Sequence, residues 1–228
     1  MSSSPVALRS RSPFQSLVDS RRQDKFTRTS TIYTQGDRAS TIYYLESGLV
    51  KLTHRLEDNR EFLVRLVGTG ELFGESTLFG GGIRTESAET LRESVVHEFP
   101  RDEFLETCHQ RPEIWHWIAE MSAKRLEEAE KRLQLISFYR VEQRILLVLA
   151  DLASVFDANG EGESNVLVPL SQSELASLVG ATRETTSTTL NSLERRGLLR
   201  LGRRNLTILS TRALRNASVN LVEAAAAQ

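Results

Sequence analysis

Between Pro169 and Leu209 the residue types fall in an order suited to reading a nucleic acid duplex. With successive residues set about 100° apart, Arg183, Glu184, Ser187, Thr188 and Asn191 share one edge. Thr182, Thr186, Thr189, Leu190 and Leu193 share the other. Arginine can pair bidentately with guanine, a carboxylate can accept from the cytosine amino group, and hydroxyls can do either. An ordinary surface helix also alternates polar and apolar faces, so the flanking residues must decide. Ser171 and Glu174 form a capping box, predicting a short helix with Leu175, Leu178 and Val179 on its apolar side. Gly180 supplies the left-handed turn, Thr182 caps a second helix over Arg183 to Arg196, and Gly197 stops it. Two helices on so short a turn make a helix-turn-helix. Beyond it, Leu199, Leu201, Gly202-Arg203-Arg204-Asn205, Leu206 and Ile208 read as strand, turn and strand, a wing with a doubly basic tip.

Thr182-Arg183-Glu184-Thr185 resembles the opening of the recognition helix in the Crp/Fnr family of bacterial transcription regulators. The resemblance implies a homodimer on double-stranded DNA with a palindromic site, RNA polymerase as a further partner, and no enzymatic role. It makes Arg183 and Glu184 base readers, with Ser187 and Thr188 beside them, and assigns phosphate contacts to Thr182 and Thr185. Arg203 and Arg204 reach phosphate from the wing. Where related chains carry a second arginine one turn later this one has Thr188, so its outer base preference should differ.

Composition bounds the rest. A chain of 228 residues, 39% hydrophobic, is long enough for two modest domains. Its longest apolar run, Ile145 to Ala150, is too short to span a bilayer, and the N-terminus lacks a secretory signal, so no membrane association and a cytoplasmic location are expected. The lone cysteine, Cys108, cannot hold an iron–sulfur cluster, which normally takes about four thiolates. His54, His97, His109 and His116 are scattered, so no metal or haem site is assigned. The net charge of −1 gives no global basic field. Basicity is local instead: Arg195, Arg196, Arg200, Arg212 and Arg215 join the arginines above.

The expected architecture is α+β: an N-terminal antiparallel β-roll, a long dimerisation helix and a C-terminal winged helix-turn-helix. Residues 1–25 read as a flexible arm, 26–112 as the roll, 113–137 as the helix, 138–216 as the DNA-binding domain and 217–228 as a tail. Regularly spaced glycines and short alternating runs predict a β-sandwich or rolled barrel. Ile42 to Leu52 resembles a signature of the cyclic nucleotide-binding roll, and Phe73-Gly74-Glu75 followed by Arg84-Thr85 resembles the family's phosphate-binding cassette. On that resemblance Gly74 lets backbone approach an anion, Arg84 grips phosphate as a fork, Glu75 accepts from a ribose hydroxyl and Thr85 donates. Two departures follow. Glu86 stands where nucleotide-binding relatives have alanine, and Ala129 and Glu130 stand where they offer hydroxyls to the base, leaving Glu130 to accept from an exocyclic amine. Three readings stay open: an effector-gated roll, with a cyclic nucleotide such as cAMP as the candidate effector; a ligand-free roll on a constitutive DNA binder; or a metal- or haem-dependent sensor or small-molecule-binding roll.

Trp115, Ala119, Ser122, Leu126, Ala129, Leu133 and Ile136 recur at alternating intervals of four and three, the spacing of a helix-pairing seam. Arg125, Glu127, Glu128 and Lys131 are expected to flank that seam in solvent. A further helix from about Val141 to Phe156 should belong to the second domain's core.

Overall fold

The computed structural model describes residues 15–18, 22–58, 60–80, 82–156 and 165–226. Most of the expected arm and the polar loop after Phe156 lie outside that set. The chain forms two compact units that divide within one long helix, between Glu127 and Glu128. The expected separate helical domain is therefore shared: its first half packs with the roll and its second half with the helix-turn-helix elements.

In the first unit a single helical turn, α1 (Gln15–Val18), precedes β1 (Gln23–Phe26), β2 (Thr31–Tyr33), β3 (Thr41–Ser47), β4 (Val50–Arg55), β5 (Glu61–Val67) and β6 (Leu72–Phe73). A 3-10 turn over Glu75–Phe79 leads to β7 (Ser87–Thr90) and β8 (Ser94–Pro100). Two antiparallel sheets result, ordered β1-β8-β3-β6 and β2-β7-β4-β5. Then come α2 (Arg101–Gln110) and the long α3 (Glu113–Phe138). Strand β3 shows why the apolar pattern there is nearly continuous. Tyr43 and Leu45 face the core between the sheets with Val50, Leu52, Phe73 and Val96. Ile42 and Tyr44 face a second core with Phe104, Cys108, Ile114 and Ile118 from the helices. A strand covered on both faces loses its polar alternation.

Two elements extend beyond their expected limits. The sheet begins at Gln23 and Val18 is buried in the helical core, so the roll takes in residues assigned to the arm. Gln23-Asp24-Lys25 carries no apolar stripe; among the described strands, β1 lies at the edge of its sheet and pairs with β8.

The second unit continues with α4 (Val141–Phe156), β9 (Val166–Val168), α5 (Gln172–Val179), α6 (Arg183–Arg195), β10 (Leu199–Leu201), β11 (Leu206–Ile208) and α7 (Thr211–Ala226). Ile145, Leu149, Leu152 and Phe156 of α4 are buried, as are Leu175 and Val179 of α5 and Leu190 and Leu193 of α6. The wing strands pair Leu199 with Ile208 and Leu201 with Leu206, and β11 also pairs with β9. The expected tail is instead most of α7, which packs on α4 and buries Leu214 and Ser218. Alanine-rich sequence there favours helix once one face finds a core.

Gly48, joining β3 to β4, adopts φ 111°, and a Cβ there would lie 2.2 Å from Ser94 Oγ and 2.7 Å from its Cα. Gly48→Ala is therefore expected to cost about 2–5 kcal/mol through left-handed strain and overpacking combined. Urea unfolding followed by the emission of Trp115 and Trp117, which pack against the core that β3 shares with the helices, checks this; an unchanged midpoint would show that the hairpin relaxes freely.

Candidate functional site

The polar edge of α6 is built from its caps outward. Ser171 N donates to Glu174 Oε2 at 2.7 Å and Glu174 N returns a bond to Ser171 Oγ at 3.2 Å, which closes the capping box of α5. That helix ends at Gly180 with φ 61°. Thr182 then caps α6, its Oγ1 accepting from Thr185 N at 3.1 Å and lying 2.9 Å from Thr185 Oγ1. Thr186, Leu190 and Leu193 are buried, and Thr189 donates to Thr185 O at 2.9 Å. Thr182, grouped with the core side by periodicity, is exposed: the cap residue lies before the first helical turn and does not follow the helical wheel. Arg183, Glu184, Thr185, Thr188 and Asn191 are exposed and Ser187 is half-buried. Burial of one face thus turns the polar edge outward. At the wing tip, Gly202 N donates to Asn205 O at 2.9 Å and leaves Arg203 and Arg204 exposed.

In the roll, Gly74, Glu75 and Arg84 come together. Gly74 is left-handed, and a Cβ there would sit 2.5 Å from Arg84 Nη1, so glycine lets the guanidinium lie against the backbone. Arg84 is 3% exposed. It donates to Gly74 O at 3.0 Å and to Thr41 O at 2.5 Å. Its guanidinium carbon lies 4.2 Å from the Tyr33 ring centroid and 5.3 Å from that of Tyr43. These two rings stack on each other at 5.5 Å, and Phe73 stacks on Tyr43 at 5.1 Å. The aromatic floor was not singled out from sequence, since tyrosines in alternating strands read as core.

Arg125 overturns its expected solvated position. It forms an ion pair with Glu75 and donates to Leu72 O at 2.5 Å, and burial lowers the proton affinity of its guanidinium. The reason is geometric: Met121, one turn earlier on the same side of α3, is buried against the roll, which carries Arg125 toward Glu75. Arg65 adds a second cation, paired with Glu71 at 3.0 Å and donating to Leu72 O at 3.2 Å. Thr85 is exposed, and its carbonyl lies 2.7 Å from His54 Nδ1. Glu130 is exposed on α3 and belongs to the other unit. Arg84 Nε, Arg125 Nε and Glu75 Oε2 are buried without a hydrogen-bond partner among the described residues. Buried polar atoms of this kind suit a polar ligand, so the residue types fit a ribose phosphate.

Along α3, Leu126 and Leu133 are 61% and 63% exposed, and Ala119, Ser122 and Ala129 are exposed beside them. Trp115 is half-buried, its ring 6.3 Å from that of Phe79. Ile136, a member of the expected seam, packs against Gly180. Burial pushes the Cys108 thiol up to about 11, which leaves it unreactive. No helix among the described residues is long and apolar enough to cross a membrane.

A two-sheet roll followed by a winged helix-turn-helix defines a two-part DNA-binding regulator. Residues 23–111 match the family model of the cyclic nucleotide-binding domain, and residues 143–217 that of the Crp-like helix-turn-helix domain. The chain is 33% identical over 189 residues to the CRP-like cAMP-activated global transcriptional regulator of Mycobacterium tuberculosis, covering 83% of this chain and 84% of that one. It is 34% identical over 205 residues to the transcriptional regulator LdrP of Thermus thermophilus, covering 88% of this chain and 99% of that one. Among solved structures, the c-di-GMP responsive global regulator CLP of Xanthomonas campestris superposes with a TM-score of 0.71 at 26% identity, over 85% of this chain and 96% of the other. The chain belongs to the Crp/Fnr family of transcription regulators.

Glu86 accepts from the Tyr33 hydroxyl at 3.4 Å. Burial pushes its carboxyl above the ordinary 4.5; Arg65 opposes the rise and Glu75 adds to it. A raised carboxyl contributes stability that is present below the unfolded value and lost as pH rises through the folded one. Glu86→Gln should therefore leave the roll more stable than wild type at neutral pH, with the gap closing as pH falls through the raised folded value and absent below 4.5. Thermal unfolding of both proteins across pH checks this; a pH-independent gap would show that the charge carries no cost.

Proposed function

We propose that the protein acts in the cytoplasm as a homodimer that places two α6 edges in successive major grooves of a palindromic duplex. Arg183, Glu184, Ser187 and Thr188 read bases, while Thr182, Thr185, Arg203 and Arg204 hold phosphates and set register. The observation that carries this reading is the division of α6, whose apolar face is buried while its arginine, carboxylate and hydroxyls stand exposed. The exposed Leu126 and Leu133 beside small residues support pairing through α3. Contact with RNA polymerase goes with the same regulatory role.

An effector of the cyclic nucleotide class, held by Gly74, Glu75, Arg84 and Thr85, sets the affinity for DNA. It shifts the protein only to the extent that it binds the DNA-competent arrangement more tightly. The M. tuberculosis relative is named as cAMP-activated and the Xanthomonas one as c-di-GMP responsive, so effector identity varies among similar chains. A second reading, the ligand-free roll, is favoured by one observation: the terminal nitrogens of Arg84 already serve Thr41 O and Gly74 O, and Glu75 is held by Arg125.

Titration calorimetry with cAMP and c-di-GMP separates the two. Heat with one of them that disappears in Arg84→Ala supports the gated roll; no heat with either supports the ligand-free one. For the reading edge, Arg183→Ala should cost about 1–3 kcal/mol and relax preference at one base pair per half-site. Arg203→Ala should weaken all sequences alike and flatten the salt dependence. Selection from a randomised site library with both variants checks this, and uniform weakening by Arg183→Ala would remove its base-reading role.

A further inference from the structure

Helix α5 has eight residues and ends in carbonyls that its own turn cannot satisfy. The backbone supplies little: Gly180 N reaches Ser177 O at 3.3 Å and Ala181 N reaches Ala176 O at 3.1 Å. Two arginines from other helices supply the rest. Arg132 of α3 donates from Nε to Leu178 O at 3.1 Å and from Nη2 to Ser177 O at 2.5 Å. Arg144 of α4 donates from Nη1 to Val179 O at 2.9 Å and to Gly180 O at 3.1 Å. Four consecutive carbonyls, 177 to 180, are thus closed by two guanidinium groups. Both cations also stand where a helix C-terminus carries partial negative charge. Arginine is the residue for this task, because its planar fork spans two acceptors where a lysine ammonium acts as a point charge.

The closed end is the one from which the reading helix departs. Only Ala181 separates Gly180 from the α6 cap at Thr182, so the direction of the last turn of α5 sets the direction of α6. Helix α3 meets this end twice. Ile136, one turn after Arg132, packs so closely that a Cβ on Gly180 would lie 2.7 Å from its Cδ1. Residues from Glu128 onward belong with the DNA-reading unit, so this half of α3 is part of the head's own packing.

We propose that Arg132 and Arg144 are positioning residues for DNA reading, and that through Arg132 the last turns of α3 fix the aim of α6. They touch no base and act through the turn, an inference that rests on α6 being the reader. Any change in the pitch of α3 is delivered to the turn through Arg132 and Ile136, and so reaches the reading edge.

The test measures specific and non-specific DNA affinity of the full-length chain for Arg132→Met, Arg132→Lys and Arg183→Ala, with circular dichroism on each. Arg144 is more deeply buried, so its replacement risks the fold, and Arg132 carries the experiment. Arg132→Met should keep the helical signal and the phosphate-driven non-specific affinity, yet lose about tenfold in specific affinity, so that the ratio of the two falls. Arg132→Lys, able to serve one carbonyl at a time, should recover part of that ratio. A purely structural role would lower both affinities together and leave the ratio unchanged. An unchanged ratio in Arg132→Met, through equal loss or none, overturns the inference while Arg183→Ala still lowers it. If Arg183→Ala also leaves the ratio unchanged, the reading of α6 falls and the positioning role falls with it.

Discussion

Gly180 holds φ 61° with Ile136 packed against the face where a side chain would project, so the turn between α5 and α6 has one residue type and one path open to it. From that path follow the placement of Thr182 as cap, the burial of Thr186, Leu190 and Leu193, and the exposure of the opposite edge. The apolar contacts of α6 fix its rotation about its own axis, and the turn fixes its direction. Recognition chemistry needs both, since a bidentate arginine tolerates little misplacement.

The same physical device recurs in both units. Arginine forks satisfy carbonyls that irregular backbone leaves unpaired: Arg84 on Gly74 and Thr41, Arg65 and Arg125 on Leu72, Arg132 and Arg144 on the end of α5. An unmade backbone hydrogen bond away from water costs far more than a made one contributes, so these cations hold loops that strand or helix ladders cannot. In the roll the device has a second consequence. Glu75 and Arg84, the groups suited to a ribose phosphate, are held by the protein itself, so a ligand there must compete with Arg125 and two carbonyls.

Much of the head was legible because its signals are local. Ser171 to Glu174, Gly180 and Thr182 each act within a few residues, and the wing announces itself by Leu-x-Leu runs around Gly202. Glycine spacing gave an all-β sandwich or rolled barrel, and the roll and its cassette were legible only by resemblance. What escaped were groups whose meaning depends on distant partners. Arg125 reads as a solvated flank until Glu75, fifty residues away, is brought to it. Arg132 and Arg144 lie in helices whose charge pattern gives no hint of the carbonyls they meet. Strand β1, at the edge of its sheet among the described strands, has no apolar stripe, and α7 looks like a tail because its packing depends on α4.

The proposed homodimer sets two copies of one helical edge on the same face of a duplex. The most direct measurement is the affinity of the protein for its selected site after about five base pairs, half a helical turn, are inserted between the half-sites. Paired edges held at a fixed separation would then face opposite sides of the DNA, and affinity should fall to that of a single half-site. Binding as tight to the lengthened site as to the original would contradict the account.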